Sequence, residues 1–292
     1  VKYIPSWMPG FDFIRKAHEW RKDLDDLVQA PFDMVKADVA RNEAPPSFVA
    51  EALQREEIKV LTLEEEDRIK WSALGIYTGG ADSTIAGITA LVLLMSRYPA
   101  AQRRAQQEID DVTGGNRLPT FEDMPKLKYV TACVKEVLRY WPVLPLGLPH
   151  RLTTHEVYNG YDIPEGSTVI ANIWRALGMM HDENAYSDPF AFKPERFLSH
   201  EDGGLEEPDS MPAVFGYGRR ICPGMLLGEA SLNIYAARLL SVLDISPTKD
   251  EKGGEIALAE DDFKGPGVIT MPRRFPCSIK PRSPLAASLV MS

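Results

Sequence analysis

Residues 215–224 are Phe-Gly-Tyr-Gly-Arg-Arg-Ile-Cys-Pro-Gly, and this stretch decides the interpretation of the chain. It places one cysteine, Cys222, at the end of a glycine-rich loop. The apolar spacing that follows predicts a helix over residues 225–243. Cys222 is therefore expected at or just before a helix N-terminus, where unpaired N–H groups and a partial positive charge favour thiolate over thiol.

The residues around Cys222 suit a large, acidic metal cofactor. Gly216, Gly218 and Gly224 allow backbone geometries that turn peptide N–H groups toward the sulfur. Arg220 adds a fixed positive charge two residues before the cysteine. A soft anionic ligand with these neighbours would suit an iron porphyrin with acidic substituents.

Two other interpretations of the loop were weighed. Cys222 could be an inert buried thiol, which is the usual fate of a lone cysteine. Gly216-Tyr217-Gly218 before a helix could also be a phosphate-binding loop. That second interpretation fails because the third glycine of G-x-G-x-x-G would fall at Ile221.

The spacing Phe-x-x-Gly-x-Arg-x-Cys-x-Gly resembles the haem-ligand loop of the cytochrome P450 monooxygenases. Its five fixed positions are Phe215, Gly218, Arg220, Cys222 and Gly224. The resemblance covers residues 11–277 and implies that Cys222 is the axial ligand of haem iron (iron protoporphyrin IX). The other four residues then bind or frame the cofactor.

A second motif lies in the predicted helix 128–140, where Glu136 and Arg139 share one face and can form an ion pair. Taken alone, such a pair is usually a solvated surface bridge. Downstream, residues 194–197 are Pro-Glu-Arg-Phe. The resemblance implies that Arg196 joins Glu136 and Arg139 in a buried network that supports the haem loop and has a structural role.

A third motif, Gly-Gly-Ala-Asp-Ser-Thr at residues 79–84, lies within a long helical pattern predicted over residues 62–98. Thr62 and Glu65 form a capping-box signal at its start. The resemblance implies that this helix crosses the open face of the haem, with Asp82 and Ser83 as the catalytic acid–alcohol pair. The usual residue at the second position is Thr, so Ser83 departs from the family pattern and leaves the coupling of oxygen activation to product in doubt.

The same helix could instead cross a membrane, because Asp82 is the only charge from Trp71 to Ser96. Scattered Ser and Thr residues and the cost of a mid-span acid argue against this. We therefore expect a helix buried on all sides in a large core.

Residues 140–151 contain three prolines, which favour extended chain after the helix. The resemblance implies that His150 or Arg151 meets a haem propionate. It also implies an apolar substrate pocket. The predicted lining residues are Ile76, Gly80, Ala81, Val143, Leu144, Leu146 and Leu148.

Composition excludes several classes of protein. The 292 residues are 44% hydrophobic and 26% charged, with a net charge of −9 and no basic stripe, which argues against a nucleic-acid partner. Cys133, Cys222 and Cys277 lie far apart without a Cys-x-x-Cys motif, and the five histidines show no ligand spacing. A zinc site and a disulfide framework are therefore not expected, and the cysteine usage suits a reducing compartment.

The pattern predicts a mainly α fold with small β-sheets (α+β). The predicted elements are helices over 11–40, 47–53, 62–98 and 99–112, a capped turn over 120–123, a hairpin around Asn159-Gly160, a strand over 168–173 and late strands over 255–263 and 267–271. We expect one partial domain over residues 1–292 with a loose tail over 281–292. By resemblance this is the C-terminal portion of the cytochrome P450 fold, without the N-terminal part of the family domain.

The resemblance implies a haem-dependent monooxygenase that inserts one atom of O2 into a small lipophilic substrate. Electrons would come from NADPH through a separate flavoprotein reductase. Two short segments resemble those of fungal microsomal members that act on secondary metabolites: Pro149-His150-Arg151 and Asn172-Ile173-Trp174. The parent protein would sit at the cytosolic face of the endoplasmic reticulum through a missing N-terminal anchor, with no transmembrane segment in this chain.

Two alternatives stay open at this point. The chain could be a catalytically inactive fragment that keeps the motifs but holds no haem. It could also be a non-haem scaffold or a membrane protein in which Cys222 is incidental.

Overall fold

The computed structural model describes residues 12–54, 61–173, 178–249, 254, 263–264 and 268–291. The chain divides into two compact units, Val1–Gly80 and Ala81–Ser292. The expectation of a single partial domain over residues 1–292 stays a prediction.

In the first unit, helix α1 spans Asp12–Ala40 and helix α2 spans Phe48–Leu53. Ser47 caps α2 by accepting a hydrogen bond from the Ala50 N–H at 3.2 Å. Helix α3, Leu63–Arg97, begins in this unit. Its capping box forms as predicted: Thr62 N–H donates to Glu65 at 2.8 Å, and Glu65 N–H donates to the Thr62 hydroxyl at 3.3 Å.

The second unit contains most of the core. Its further helices are α4 (Pro99–Thr113), α5 (Lys128–Tyr140), α6 (Met211–Phe215), α7 (Met225–Val242) and α8 (Pro284–Met291). Short 3-10 helices lie at Met124–Lys126, Met179–His181, Pro194–Phe197, His200–Asp202 and Gly218–Arg220. Fully buried side chains such as Leu94, Ile109, Val130 and Leu240 join α3, α4, α5 and α7 in one apolar cluster.

Four small antiparallel sheets accompany these helices in the described residues. The strands are β1 (His150–Arg151), β2 (Glu156–Tyr158), β3 (Tyr161–Ile163), β4 (Thr168–Val169), β5 (Leu243–Pro247), β6 (Phe263–Lys264), β7 (Met271–Pro272) and β8 (Cys277–Pro281). The pairs are β1 with β4, β2 with β3, β5 with β8 and β6 with β7. Asn159 and Gly160, with φ of 50° and 81°, form the predicted hairpin turn between β2 and β3. The predicted mainly α fold with small sheets is confirmed.

Helix α3 is not buried on all sides, so that expectation was wrong. Residues 86–96 carry its buried side chains, whereas Ile76 and Tyr77 are 62% and 63% exposed. By length and composition α3 is long and apolar enough to cross a membrane, and 39% of its most apolar stretch is buried. One such helix is weak support for a membrane segment, because core helices of soluble proteins can be as long and as apolar.

The expected loose tail over residues 281–292 was also wrong. Pro281 ends strand β8, and α8 follows with Ala286 only 5% exposed. Ser283 caps α8 by accepting from the Ala286 N–H at 3.0 Å, and Arg282 pairs with Asp110 of α4 at 2.6 Å. A serine cap before a run of good helix formers was the overlooked signal.

Of two further predicted strands, one is shorter than expected and the other lies almost wholly outside the described residues. The strand expected over residues 168–173 is only Thr168–Val169, paired with β1. The strand expected over residues 255–263 falls almost wholly outside the described residues.

Candidate functional site

The loop that carries Cys222 is closed by its own backbone. Helix α6 ends at Phe215, and Gly216 and Gly218 follow with φ of 83° and 60°, which other residues adopt only with strain. The Cys222 N–H then donates to the Phe215 carbonyl at 2.8 Å. The loop therefore returns to its starting point and presents the cysteine just before α7.

Helix α7 also fixes the C-terminal end of the loop. The Met225 N–H donates to the Cys222 carbonyl at 3.2 Å, so the cysteine is tied to the first turn of α7. A Cβ on Gly224 would lie 3.9 Å from the Cys222 sulfur, and a Cβ on Gly228 would lie 3.5 Å from the Phe215 ring. The sulfur and the phenyl ring thus rest against glycines. Gly228 is a contributor that sequence reasoning missed.

The surroundings of the cysteine are apolar and basic. Cys222 is half-buried and forms no disulfide within the part of the chain that the structure describes. Leu226 and Leu227, in the first turn of α7, are 76% and 74% exposed, and Ile221 is 40% exposed. Arg220 is exposed as well. A half-buried thiol thus sits beside exposed apolar side chains and a cation.

Strand β1 presents two further basic residues. Pairing with β4 places His150 opposite Val169 and Arg151 opposite Thr168, and both basic side chains are exposed. A Cβ on Gly166 would lie 3.6 Å from the Arg151 guanidinium. Among the described residues, no hydrogen bond or ion pair joins His150 or Arg151 to the Cys222 loop. Their predicted contact with a propionate stays a prediction.

The structure brings the three predicted network residues together. Arg139 donates to the Glu136 carboxylate through Nε at 2.7 Å and through Nη2 at 2.9 Å. Arg196 donates to the same carboxylate through Nε at 3.3 Å. All three side chains are fully buried, so this is not the solvated surface bridge that such a pair usually forms.

Backbone groups complete this network. Arg139 donates to the Met180 carbonyl at 2.6 Å, and Arg196 donates to the Asp188 carbonyl at 2.6 Å. The Lys193 N–H donates to Glu136 at 2.7 Å. The network therefore holds the segment between residues 180 and 196 against α5. Burial raises the pKa of the Glu136 carboxyl, against the opposing hydrogen bonds from Arg139 and Lys193.

A fourth charged residue, Glu207, joins the network and was not predicted. Arg196 Nη1 donates to the Glu207 carboxylate at 2.7 Å, and the Glu207 N–H donates to the Arg196 carbonyl at 2.8 Å. Ser187 donates to the same carboxylate through its N–H at 3.0 Å and also through its hydroxyl. Burial disfavours the charge, but the bonds from Ser187 and Arg196 outweigh it and lower the pKa of Glu207. No spacing rule connects a carboxylate eleven residues downstream with Arg196.

Helix α3 continues through the tandem glycines without interruption. A Cβ on Gly79 or Gly80 would meet no atom of the described residues within 4 Å, so there is open space at the glycine pair. Asp82 is exposed and Ser83 is half-buried. These positions can therefore offer an acid and a hydroxyl to a bound molecule.

Helices α3 and α7 meet at a close crossing in the second unit. A Cβ on Gly87 would lie only 3.0 Å from a methyl carbon of Leu232. A cavity of about 10 Å³ lies beside this contact, lined also by Leu91 and Leu138. The helix that carries Asp82 and the helix that follows Cys222 are thus in direct contact.

The predicted substrate-pocket residues differ in their exposure to solvent. Val143 is 6% exposed and belongs to the core, where its carbonyl accepts from the Thr270 N–H at 2.8 Å, and its assignment to a pocket stays a prediction. Leu144 is partly buried against the same core. Leu146 and Leu148 are 52% and 63% exposed.

The remaining three predicted pocket residues lie on α3, where Ile76 and Gly80 are exposed and Ala81 is half-buried. The small cavity beside Gly87 and a second, open one of about 440 Å³ include none of the seven predicted residues in their walls. Several charged residues line the second cavity, including Arg104 and Lys128.

The donor set fits a haem group. Within the described ranges, no group of three or more His, Cys, Asp or Glu side chains could hold a bare metal ion. Cys222 can offer one soft ligand, which is what a porphyrin iron takes from a protein that leaves its other face open. The glycines at the sulfur and the exposed apolar residues nearby suit a flat, largely apolar group.

Comparison with known proteins agrees with this fit. The family model described as Cytochrome P450 matches residues 2–262. The chain is 42% identical over 99% of its length to Cytochrome P450 monooxygenase 208 of Postia placenta, and 41% identical over 99% to a cytochrome P450 monooxygenase of Armillaria gallica. It is 37% identical over its full length to O-methylsterigmatocystin oxidoreductase of Aspergillus flavus.

The chain spans about half the length of these relatives: 54%, 55% and 53%, respectively.

Proposed function

Because this chain belongs to the cytochrome P450 family, we propose that it supplies the haem-thiolate centre of a monooxygenase. That enzyme inserts one oxygen atom of O2 into a small lipophilic organic substrate. The observation that carries the proposal is the braced loop that presents Cys222 before α7, with its sulfur against Gly224. The fungal relatives that are named monooxygenases support the reaction class.

The residues that would hold the cofactor have distinct tasks. Cys222 would provide the thiolate that holds the haem iron, and Phe215 and Gly224 would fix the loop that carries it. Arg220 on the loop, with His150 and Arg151 on β1, provides cations for the two haem carboxylates. When bound, haem supplies the redox and oxygen-activating chemistry that no side chain can provide.

The chain's own acid–base groups lie on α3. Asp82 is exposed and the neighbouring Ser83 carries a hydroxyl, so this pair can supply an acid and an alcohol for proton transfer. Ser83 lacks the methyl group that would fix the rotamer of a threonine. We therefore infer that proton delivery here depends on a hydroxyl less firmly oriented than in members with threonine.

The substrate, the electron source and the location are part of the same proposal. Exposed Leu146 and Leu148 follow α5 and suit an apolar substrate. Electrons come from NADPH through a separate flavoprotein reductase, as the family requires. The parent protein sits at the endoplasmic reticulum membrane, with its catalytic part on the cytosolic side.

Reconstitution tests the proposal directly. The purified chain is incubated with haemin, reduced and exposed to carbon monoxide, and a strongly red-shifted Soret band is expected because thiolate ligation shifts this band. Cys222→Ala should abolish the shifted band, whereas Cys277→Ala should leave it unchanged. An ordinary or absent band in the wild-type chain would instead support the inactive-fragment interpretation.

A further inference from the structure

The buried network around Arg196 has a charge balance that its three motif residues do not provide. Glu136, Arg139 and Arg196 together carry one excess positive charge, and all three are fully buried. Glu207, only 11% exposed at its side chain, adds the second carboxylate. Two buried guanidiniums are then matched by two carboxylates, which removes the large cost of an uncompensated buried charge.

Glu207 is also held on both sides by the residues that it contacts. Its N–H donates to the Arg196 carbonyl while its carboxylate accepts from the Arg196 guanidinium. The Ser187 N–H and hydroxyl occupy the other carboxylate oxygen. Both the main chain and the side chain of Glu207 are therefore fixed relative to Arg196.

From Glu207 the chain leads directly to the cysteine loop. Asp209 pairs with Lys135 of α5 at 2.9 Å, and Ser210 donates to the Lys135 carbonyl at 3.3 Å. Helix α6 begins at the next residue and ends at Phe215, whose carbonyl accepts from the Cys222 N–H. A displacement at residue 207 is thus transmitted along a short, docked segment to the backbone around Cys222.

We propose that Glu207 is a positioning residue: it neutralises the buried Arg196 and fixes the start of the segment that sets the place of Cys222. The importance of that place rests on the proposed function. The anchoring itself exists without haem and is measured without it, so failure of haemin binding leaves this test intact.

The first measurement is urea unfolding of haem-free chain. Glu207→Gln keeps the shape of the side chain and removes its charge, and it should raise the unfolding equilibrium constant about ten- to a hundredfold, as expected for a lost charged hydrogen bond. Glu206→Gln is the matched control, because the Glu206 side chain is 65% exposed beside His200. It should change the constant less than about threefold.

A double-mutant cycle tests whether the stabilisation by Glu207 comes from its pairing with Arg196. The combined effect of Glu207→Gln and Arg196→Gln should be at least about fivefold smaller than the product of the two single effects, since each removes the same pair. If Arg196→Gln does not fold, Ser187→Ala replaces it, because the Ser187 hydroxyl donates only to Glu207 in the described hydrogen bonds. Independent, multiplicative effects would overturn the proposal.

Alkylation under native conditions separates positioning of Cys222 from general stability. Iodoacetamide modification is measured by peptide mass spectrometry at Cys222, at buried Cys133 and at Cys277 on β8. Glu207→Gln should raise the Cys222 rate several-fold and leave the other two unchanged. Two results would show that Glu207 does not position the loop: an alkylation rate at Cys222 that is the same in Glu207→Gln as in Glu206→Gln, or alkylation rates that rise together at all three cysteines.

Discussion

Replacing Glu136 with Gln tests whether the buried network holds the second unit together. The Glu136 carboxylate accepts four hydrogen bonds: two from Arg139 at 2.7 and 2.9 Å, one from Lys193 N–H at 2.7 Å and one from Arg196 at 3.3 Å. The amide removes the charge and turns one acceptor into a donor that faces guanidinium groups. Arg196 then keeps the Glu207 carboxylate, whereas Arg139 is left with the backbone carbonyls of Met180 and Ala191.

Breaking one partner out of a buried ionic set costs on the order of 3–5 kcal/mol. With a urea m-value of about 2–3 kcal/mol/M, the unfolding midpoint should fall by about 1–2 M. Far-UV circular dichroism follows the loss of helix. Because the chain has two compact units, the transition that responds is assigned to the second unit by hydrogen exchange of α5 amides.

Glu195→Gln provides the matched control for this change. Glu195 is the neighbour of Arg196 and pairs with Arg104 at 2.7 Å, but the two side chains are 33% and 47% exposed. Such a pair contributes about 0–1 kcal/mol. If Glu136→Gln lowered the midpoint no more than Glu195→Gln, the reasoning that burial makes this network essential would be refuted.

Three further predictions concern the same unit. Because the pKa of Glu207 is lowered in the folded chain, its carboxylate stabilises the fold above the ordinary Glu pKa of about 4.3, and this stabilisation is lost as the pH falls through the lower folded pKa. Glu207→Gln should therefore flatten the acid side of a plot of urea midpoint against pH. An unchanged plot would count against the pairing with Arg196. Gly216→Ala, at φ of 83°, should destabilise by about 1–2 kcal/mol and weaken haemin retention in a gel-filtration assay; full retention would show that the turn is not needed. Ala286→Asp should cost at least about 2 kcal/mol in thermal unfolding because the position is 5% exposed, whereas Leu285→Asp, 50% exposed, should cost under about 0.5 kcal/mol; equal costs would mean that α8 does not dock.

Local signals were enough to predict most helices and the hairpin. Periodicity placed helix α5 at residues 128–140, as observed, and the Thr62–Glu65 box marked the start of α3. Asn159-Gly160 predicted the hairpin because both turn positions require positive φ. In each case the residues that decide the structure lie within a few positions of one another.

Contacts between distant segments could not be predicted in the same way. Strand β5 pairs with β8 so that Leu243 lies opposite Pro281, and nothing in the short strand sequences specifies that partner. Exposure of the first part of α3 was missed because an apolar pattern does not show which neighbours will cover it.

In the candidate site too, local motifs could be predicted and contacts between distant segments could not. The motif spacing predicted roles for Cys222, Glu136, Arg139 and Arg196, and the structure brings the last three into one buried network. Glu207 carries no motif, because its role depends on how the segment after Pro194–Phe197 folds back on Arg196. Charge balance in a buried cluster can be judged only when the whole cluster is known.

The central claim is that the Cys222 sulfur binds haem iron. X-ray absorption at the iron edge of haemin-loaded chain measures this bond most directly, since a sulfur ligand scatters differently from nitrogen or oxygen. We expect one sulfur scatterer in the wild-type chain and none in Cys222→Ser, with Cys277→Ser unchanged. Absence of sulfur from the wild-type iron shell, or its persistence in Cys222→Ser, would contradict the account.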